Sequence, residues 1–76
     1  MKQTVPHMTR RHFEYLSMLC AAIVARTNEL LQEHVSEPLR TRLTDEIKDF
    51  FVEYLSFTND HFDRERFLSA VEDRLN

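Results

Sequence analysis

The side chains best suited to binding a metal ion are four histidines and one cysteine, spread along a chain of 76 residues. They are His7, His12, Cys20, His34 and His61. No two of them have the Cys-x₂-Cys or His-x₃-His spacing that makes a zinc site specific. His7 and His12 are five positions apart, across an expected helix start. The sequence therefore predicts no metal site and no cofactor.

The segment from Asn59 to Glu65 is rich in amide and carboxylate oxygens, which are the ligands of a calcium-binding loop. An EF-hand loop requires glycine at its sixth position and glutamate at its twelfth. The sixth position here is Arg64, and the loop is too short before the next expected helix. Helix capping explains these residues better than calcium binding.

The chain contains few side chains that could act as a catalytic nucleophile. Cys20 lies among apolar neighbours, which raise the pKa of a thiol and make it unreactive. Ser17 and Ser56 have no evident base beside them. Because the chain contains no glycine, it has neither a phosphate-binding loop nor a nucleophile elbow. We expect a protein that is not an enzyme.

Acidic side chains form a row on the second expected helix. Glu46, Asp49 and Glu53 recur at helical spacing, and Asp60 follows at the helix end. Such a row can dock on a basic protein surface and imitate a phosphate backbone. The alternative, which is the more common one, is a solvated helix face interrupted by Lys48.

Arginines near two helix starts are the candidate contacts to nucleic acid, namely Arg10, Arg11, Arg64 and Arg66. The net charge of −3 and the pI near 5.7 argue against a general nucleic-acid binder. The basic and acidic groups of the third expected helix also balance. DNA binding is therefore the second functional hypothesis, behind protein binding.

Composition favours one small all-α domain. The absence of glycine, with only two prolines, disfavours a fold of many tight hairpins. No apolar run approaches the ~20 residues that a membrane span needs. The single cysteine and the polar first residues favour the cytoplasm over a secreted protein.

Three helices follow from periodicity and from capping residues. Residues 1–8 are expected to be a flexible lead because Pro6 bars a helix there, and residues 9–76 a single helical domain. Thr9 is the expected N-cap of a long helix from Arg10 to about Val35. Ser36 is the expected N-cap of a medium helix that ends near Phe57. Its expected inward stripe is Leu39, Leu43, Ile47, Phe50, Phe51, Tyr54 and Leu55.

The short third helix has the clearest start signal. With Asp63 as N-cap, Phe62 and Phe67 have the spacing of a hydrophobic staple. This helix continues to the C-terminus, so the three helices are about 26, 21 and 12 residues long. One helix of about 18 Å is too short to cover the apolar surfaces of both others. We therefore expect a homodimer, or burial against a partner protein.

Two terminal segments carry a resemblance to a known group of proteins. Residues 8–14 (MTRRHFE) and 59–70 (NDHFDRERFLSA) resemble small uncharacterised helical proteins of bacteriophages and mobile elements. Those chains open near MTRKHFE and close near NPxFDRxRFLxA; Asp60 stands where that pattern has proline. The resemblance covers about 19 residues and implies a phage or plasmid context, with no catalytic residue carried over.

Short acidic helical proteins of phages are similar in kind to anti-CRISPR proteins, other anti-defence factors and polymerase inhibitors. The resemblance thus implies a non-enzymatic inhibitor of a host protein or nucleoprotein complex, acting by occlusion in the cytoplasm of an infected bacterium. A small DNA-binding regulator is the alternative, and a phage structural or assembly subunit is a third possibility.

Overall fold

A computed structural model describes residues 9–76 of the chain, and the predicted flexible lead at residues 1–8 lies outside the described residues. Three helices make up the domain: α1 (Arg10–Leu31), α2 (Glu37–Thr58) and α3 (Arg64–Leu75). No strand occurs within residues 9–76, so the predicted all-α, three-helix fold is confirmed. None of these helices has the length and apolar character needed to cross a membrane.

The first helix ends earlier than predicted, at Leu31 rather than near Val35. The Arg40 side chain of α2 reaches back across the turn, where its Nη1 donates to the carbonyls of Gln32 (3.1 Å) and Val35 (2.9 Å). Its Nε donates to Asn28 Oδ1 at 3.2 Å. An arginine from the next helix thus donates to carbonyls just after α1 that have no helical partner. The first helix was expected to be longer than the second, but α1 and α2 both contain 22 residues, so this expectation is wrong.

The three N-caps differ in their hydrogen bonding. Thr9 Oγ1 accepts a hydrogen bond from the His12 N–H at 3.2 Å, and Asp63 Oδ1 accepts one from the Arg66 N–H at 3.0 Å. Ser36 has the extended backbone of an N-cap, but its side chain accepts no capping hydrogen bond in the described structure. The expected Ser36 side-chain cap is therefore wrong. Proline in the first turn, where an amide N–H would have no helical partner, already reduces the need for it.

This difference gives a prediction about stability. Asp63→Ala should lower the free energy of unfolding by about 1 kcal/mol, because it leaves an amide at the start of α3 without its partner. Ser36→Ala, the matched control, should change it by less than about 0.5 kcal/mol. Urea denaturation followed by circular dichroism measures both values. Equal losses would contradict the assigned capping roles.

Aromatic rings from all three helices meet around Phe67, which is fully buried. The Phe62 ring lies with its centroid 5.4 Å from that of Phe67, and this contact is the staple at the start of α3. Phe13 of α1 meets Phe67 edge-on at 5.8 Å, and Phe51 of α2 stacks near it at 6.3 Å. The core continues away from this cluster through Cys20, Ala21, Val24, Val52, Leu55 and Val71.

The first and third helices begin at the same end of the domain. Phe13 and Phe67, both near the start of their helices, are in contact. At the other end of α3, Arg74 Nε donates to Ser17 Oγ at 3.4 Å. Since the five-residue connection from α1 to α2 makes those two helices antiparallel, α3 packs along one side of an α1–α2 hairpin.

Candidate functional site

The acidic row of α2 is defined by Glu46, Asp49 and Glu53, which are all exposed. At 100° per residue, these three side chains fall within about 60° of the helix circumference. Asp60 lies beyond the end of α2, in the connection to α3, so it does not belong to the row. The described residues include no ion-pair partner for any of these four carboxylates.

Lys48 does not interrupt the acidic row. Its Nζ binds Glu72 Oε2 of α3 and lies 3.8 Å from Asp45 Oδ1, and its side chain is only 16% exposed. The expectation of an interrupting lysine is therefore wrong, because helical register places Lys48 about 100° or more around α2 from each carboxylate of the row, on the side where Glu72 of α3 pairs with it. The basic residue that does share the side of the row is Arg42, one turn before Glu46.

The four candidate arginines come to one end of the domain, where α1 and α3 begin. The guanidinium of Arg66 lies 6.0 Å from the centroid of the Phe13 ring, which links the two helix starts. Arg10 pairs with Glu14 at 3.6 Å, and both partners are largely exposed. Carboxylates share this end, since Asp63 and Glu65 flank Arg64. The arginines are thus brought together among acidic groups, which weakens their attraction for a phosphate backbone.

Of the side chains considered as nucleophiles, Cys20 and Ser17 are both fully buried. Cys20 is fully buried, and burial raises the pKa of its thiol to about 11, with Lys48 acting in the opposite direction. The buried Ser17 hydroxyl donates to the Glu14 carbonyl at 2.9 Å and accepts from Arg74. Over residues 9–76 no group of three His, Cys, Asp or Glu side chains is arranged to hold a metal ion. His7 lies outside the described residues.

A broad apolar surface remains exposed on α1 and α2, and the apolar pattern of the sequence did not indicate which residues would form it. Four residues that were expected on the inward stripe of α2 are exposed instead: Leu39, Leu43, Phe50 and Tyr54. Four residues of α1 are exposed in the same way: Tyr15, Leu19, Ile23 and Leu30. We call these eight residues the apolar face. The expected stripe of α2 is confirmed at Ile47, Phe51 and Leu55 and wrong at the four exposed positions, because the apolar arc is too wide for its neighbours to cover and only one side of the hairpin receives α3.

Helical register places the apolar face on the side of the hairpin opposite α3. Ser17 of α1 contacts α3 through Arg74, and Lys48 of α2 contacts it through Glu72. Leu19 and Phe50 each follow one of these residues by two positions, which turns their side chains about 160° around the helix. Both helices therefore direct apolar side chains away from α3. The signal for this in the sequence is an apolar arc wider than one helix contact requires.

An aromatic pair stands within the apolar face. The rings of Phe50 and Tyr54 stack with their centroids 6.2 Å apart and an interplanar angle of 16°, although the residues are 67% and 61% exposed. Large rings held in a fixed arrangement on a surface are typical anchors of protein interfaces. Apolar contact with another protein is the kind of interaction that these exposed rings can make.

The chain was compared with protein families, with curated proteins and with solved structures. No protein-family model matches the chain, and neither a curated protein nor a solved structure matches it.

Proposed function

We propose that this protein is a non-enzymatic binding module that attaches to a basic protein surface through the acidic row of α2. The observation that carries the proposal is the set of three exposed carboxylates on one side of α2, with Lys48 turned toward α3. Carboxylates that pair with no cation among residues 9–76 keep their charge available for cations of another molecule. The row is also rigid, because it lies in the middle of a 22-residue helix.

The spacing of the row suits imitation of a phosphate backbone. The three carboxylates follow one another at helix rises of about 4.5 and 6 Å. Arginines and lysines that bind nucleic acid neutralise a line of closely spaced negative charges. A protein surface built for phosphates therefore offers a complementary row of cations. The resemblance to small phage proteins makes a nucleic-acid-handling complex of a bacterial host the proposed target, inhibited by occlusion of that surface.

The test compares two double variants that each remove two negative charges. Asp49→Asn/Glu53→Gln alters the acidic row at the positions farthest from the apolar face, and Glu33→Gln/Asp73→Asn alters exposed carboxylates elsewhere. Affinity for the partner should fall about tenfold in the first variant, since two charge contacts of ~0.7 kcal/mol each are lost. The second variant should bind like the wild type, and raising the salt concentration should weaken wild-type binding.

The measurement is capture by the tagged protein from nuclease-treated bacterial lysate, followed by titration of the captured partner against each variant. Retention of full affinity by Asp49→Asn/Glu53→Gln would contradict the acidic-row proposal. Equal losses in both double variants would reduce the effect to net charge and contradict it as well.

A DNA-binding regulator is the second candidate, favoured by the meeting of four arginines at one end of the domain. Arg10 and Arg11 begin α1, and Arg64 and Arg66 begin α3, so two positive helix ends add to their charge. The same experiment separates the two candidates. Loss of all captured partners after nuclease treatment, with duplex DNA bound more weakly as salt rises, would favour this second function.

A further inference from the structure

We propose that the apolar face binds a second copy of this chain, so that two α1–α2 hairpins form a four-helix core and the two α3 helices lie outside it. This proposal does not depend on the proposed function. The acidic row and the apolar face share Glu46, whereas Asp49 and Glu53 lie outside the apolar face, so substitutions at those two positions test the row without altering the face. Each proposal can therefore fail alone.

The size of the apolar face is that of a stable protein interface. From the exposed fractions of its eight side chains, it offers roughly 800 Å² if each side chain contributes ~200 Å² when fully exposed. A standard interface buries about 800 Å² on each partner. The largest apolar patch on a typical monomer is only about 300–600 Å². An area of this size left in water is costly, and a second copy is always available to cover it.

The shape of the face is self-complementary. Its stripe on α1 runs from Tyr15 to Leu30 and its stripe on α2 from Leu39 to Tyr54. Each stripe covers 15 helical steps, or about 23 Å. A two-fold axis lying in the plane of this face places the same face of a second copy against it, which gives a closed dimer. Each stripe then meets apolar side chains along its whole length, as in four-helix bundles.

The charges of the face also fit a second copy. By register, Arg26 lies on the α1 stripe between Ile23 and Leu30; its side chain is 73% exposed, and its Nη1 forms an exposed ion pair with Glu29 Oε1 of the same helix at 3.5 Å. Glu46 lies on the α2 stripe between Leu43 and Phe50. One positive and one negative group therefore stand near the middle of a face that is otherwise apolar. A second copy related by the two-fold axis carries the same two charges, so Arg26 of each copy can pair with Glu46 of the other.

Other occupants fit less well. A membrane surface with anionic lipids would be repelled by the acidic row at the edge of the face. A single amphipathic helix needs a groove, whereas this face is spread over two adjacent helices. A pair of helices from another copy matches both its width and its length.

The first experiment measures molar mass by sedimentation equilibrium for the full-length protein and two variants. Phe50→Asp places a charge in the apolar face, and Met18→Asp adds the same charge on α1, where Met18 lines a shallow groove next to Arg74 and Leu75 of α3. The wild type and Met18→Asp should have twice the chain mass of 9.2 kDa. Phe50→Asp should associate at least about 100-fold more weakly while keeping its helical content. A monomeric wild type, or a dimeric Phe50→Asp, would overturn the proposal.

The second experiment needs no variant and remains informative if Phe50→Asp fails to fold. The chain has two tyrosines and no tryptophan, and both tyrosines, Tyr15 and Tyr54, lie on the apolar face. Their fluorescence should be protected from iodide at high protein concentration and become quenchable on dilution, in step with dissociation. Tyrosines that iodide quenches equally at all concentrations, although the mass is that of a dimer, would show that another face is used and overturn the proposal.

Discussion

Replacing Phe67 with alanine is expected to lower the free energy of unfolding by about 3–5 kcal/mol. Phe67 is fully buried, and its ring contacts one ring from α1, one from α2 and one from the preceding loop. Truncating a buried phenylalanine costs about 3–5 kcal/mol, because apolar transfer free energy is lost and a cavity remains. A domain of this length has only about 4–11 kcal/mol of stability in total. The variant should therefore unfold at a much lower urea concentration and temperature than the wild type.

Urea and thermal denaturation followed by far-ultraviolet circular dichroism measure this effect. Phe57→Ala is the matched control, since Phe57 is 79% exposed and lies one turn beyond the end of the apolar face. Its free energy of unfolding should stay within about 0.5 kcal/mol of the wild type at the same protein concentration. A loss below about 1 kcal/mol in Phe67→Ala would contradict the central place of this ring in the core.

The stability of the protein is expected to fall between about pH 9 and pH 11 because of Cys20. Burial raises the pKa of this thiol from 9.0 to about 11, with Lys48 lowering it to a smaller extent. Above pH 9 the unfolded chain releases the thiol proton while the folded chain retains it, so rising pH favours unfolding. The contribution is fully present below pH 9 and is lost as pH rises through 11, and it amounts to about 3 kcal/mol at most.

Cys20→Ala isolates this contribution from the other groups that titrate in alkali. The variant should be less stable than the wild type near neutral pH, by about 1 kcal/mol, because a small cavity replaces the sulfur. Its stability should then fall less steeply above pH 9, so that the difference from the wild type shrinks or reverses. Parallel curves for the two proteins up to pH 11 would contradict the assignment to Cys20.

The two proposed surfaces are compatible in one molecule. A dimer built on the apolar face would keep α3 outside and leave Asp49 and Glu53 at the edge of the four-helix core. Each dimer would then carry two acidic rows related by the two-fold axis. A partner with two basic sites would be held by both rows, which raises the effective affinity without any new contact.

Local rules predicted the parts of this fold that depend on residues close together in the chain. The N-caps at Thr9 and Asp63 and the staple between Phe62 and Phe67 each involve residues three to five positions apart. The three-helix pattern follows from a periodicity that is likewise local. The acidic row could also be placed from sequence, because register within one helix is a property of spacing alone.

Tertiary structure decided the rest. The carbonyls that follow α1 find their donor in Arg40 across a turn, and Lys48 finds its ion-pair partner in Glu72, which is 24 residues away. The position of α3 decides which part of the wide apolar arc of α2 is buried, because α3 covers only one side of the hairpin. Periodicity shows that an arc is apolar, but only the position of a neighbouring helix determines whether that arc is buried or left exposed to bind another molecule.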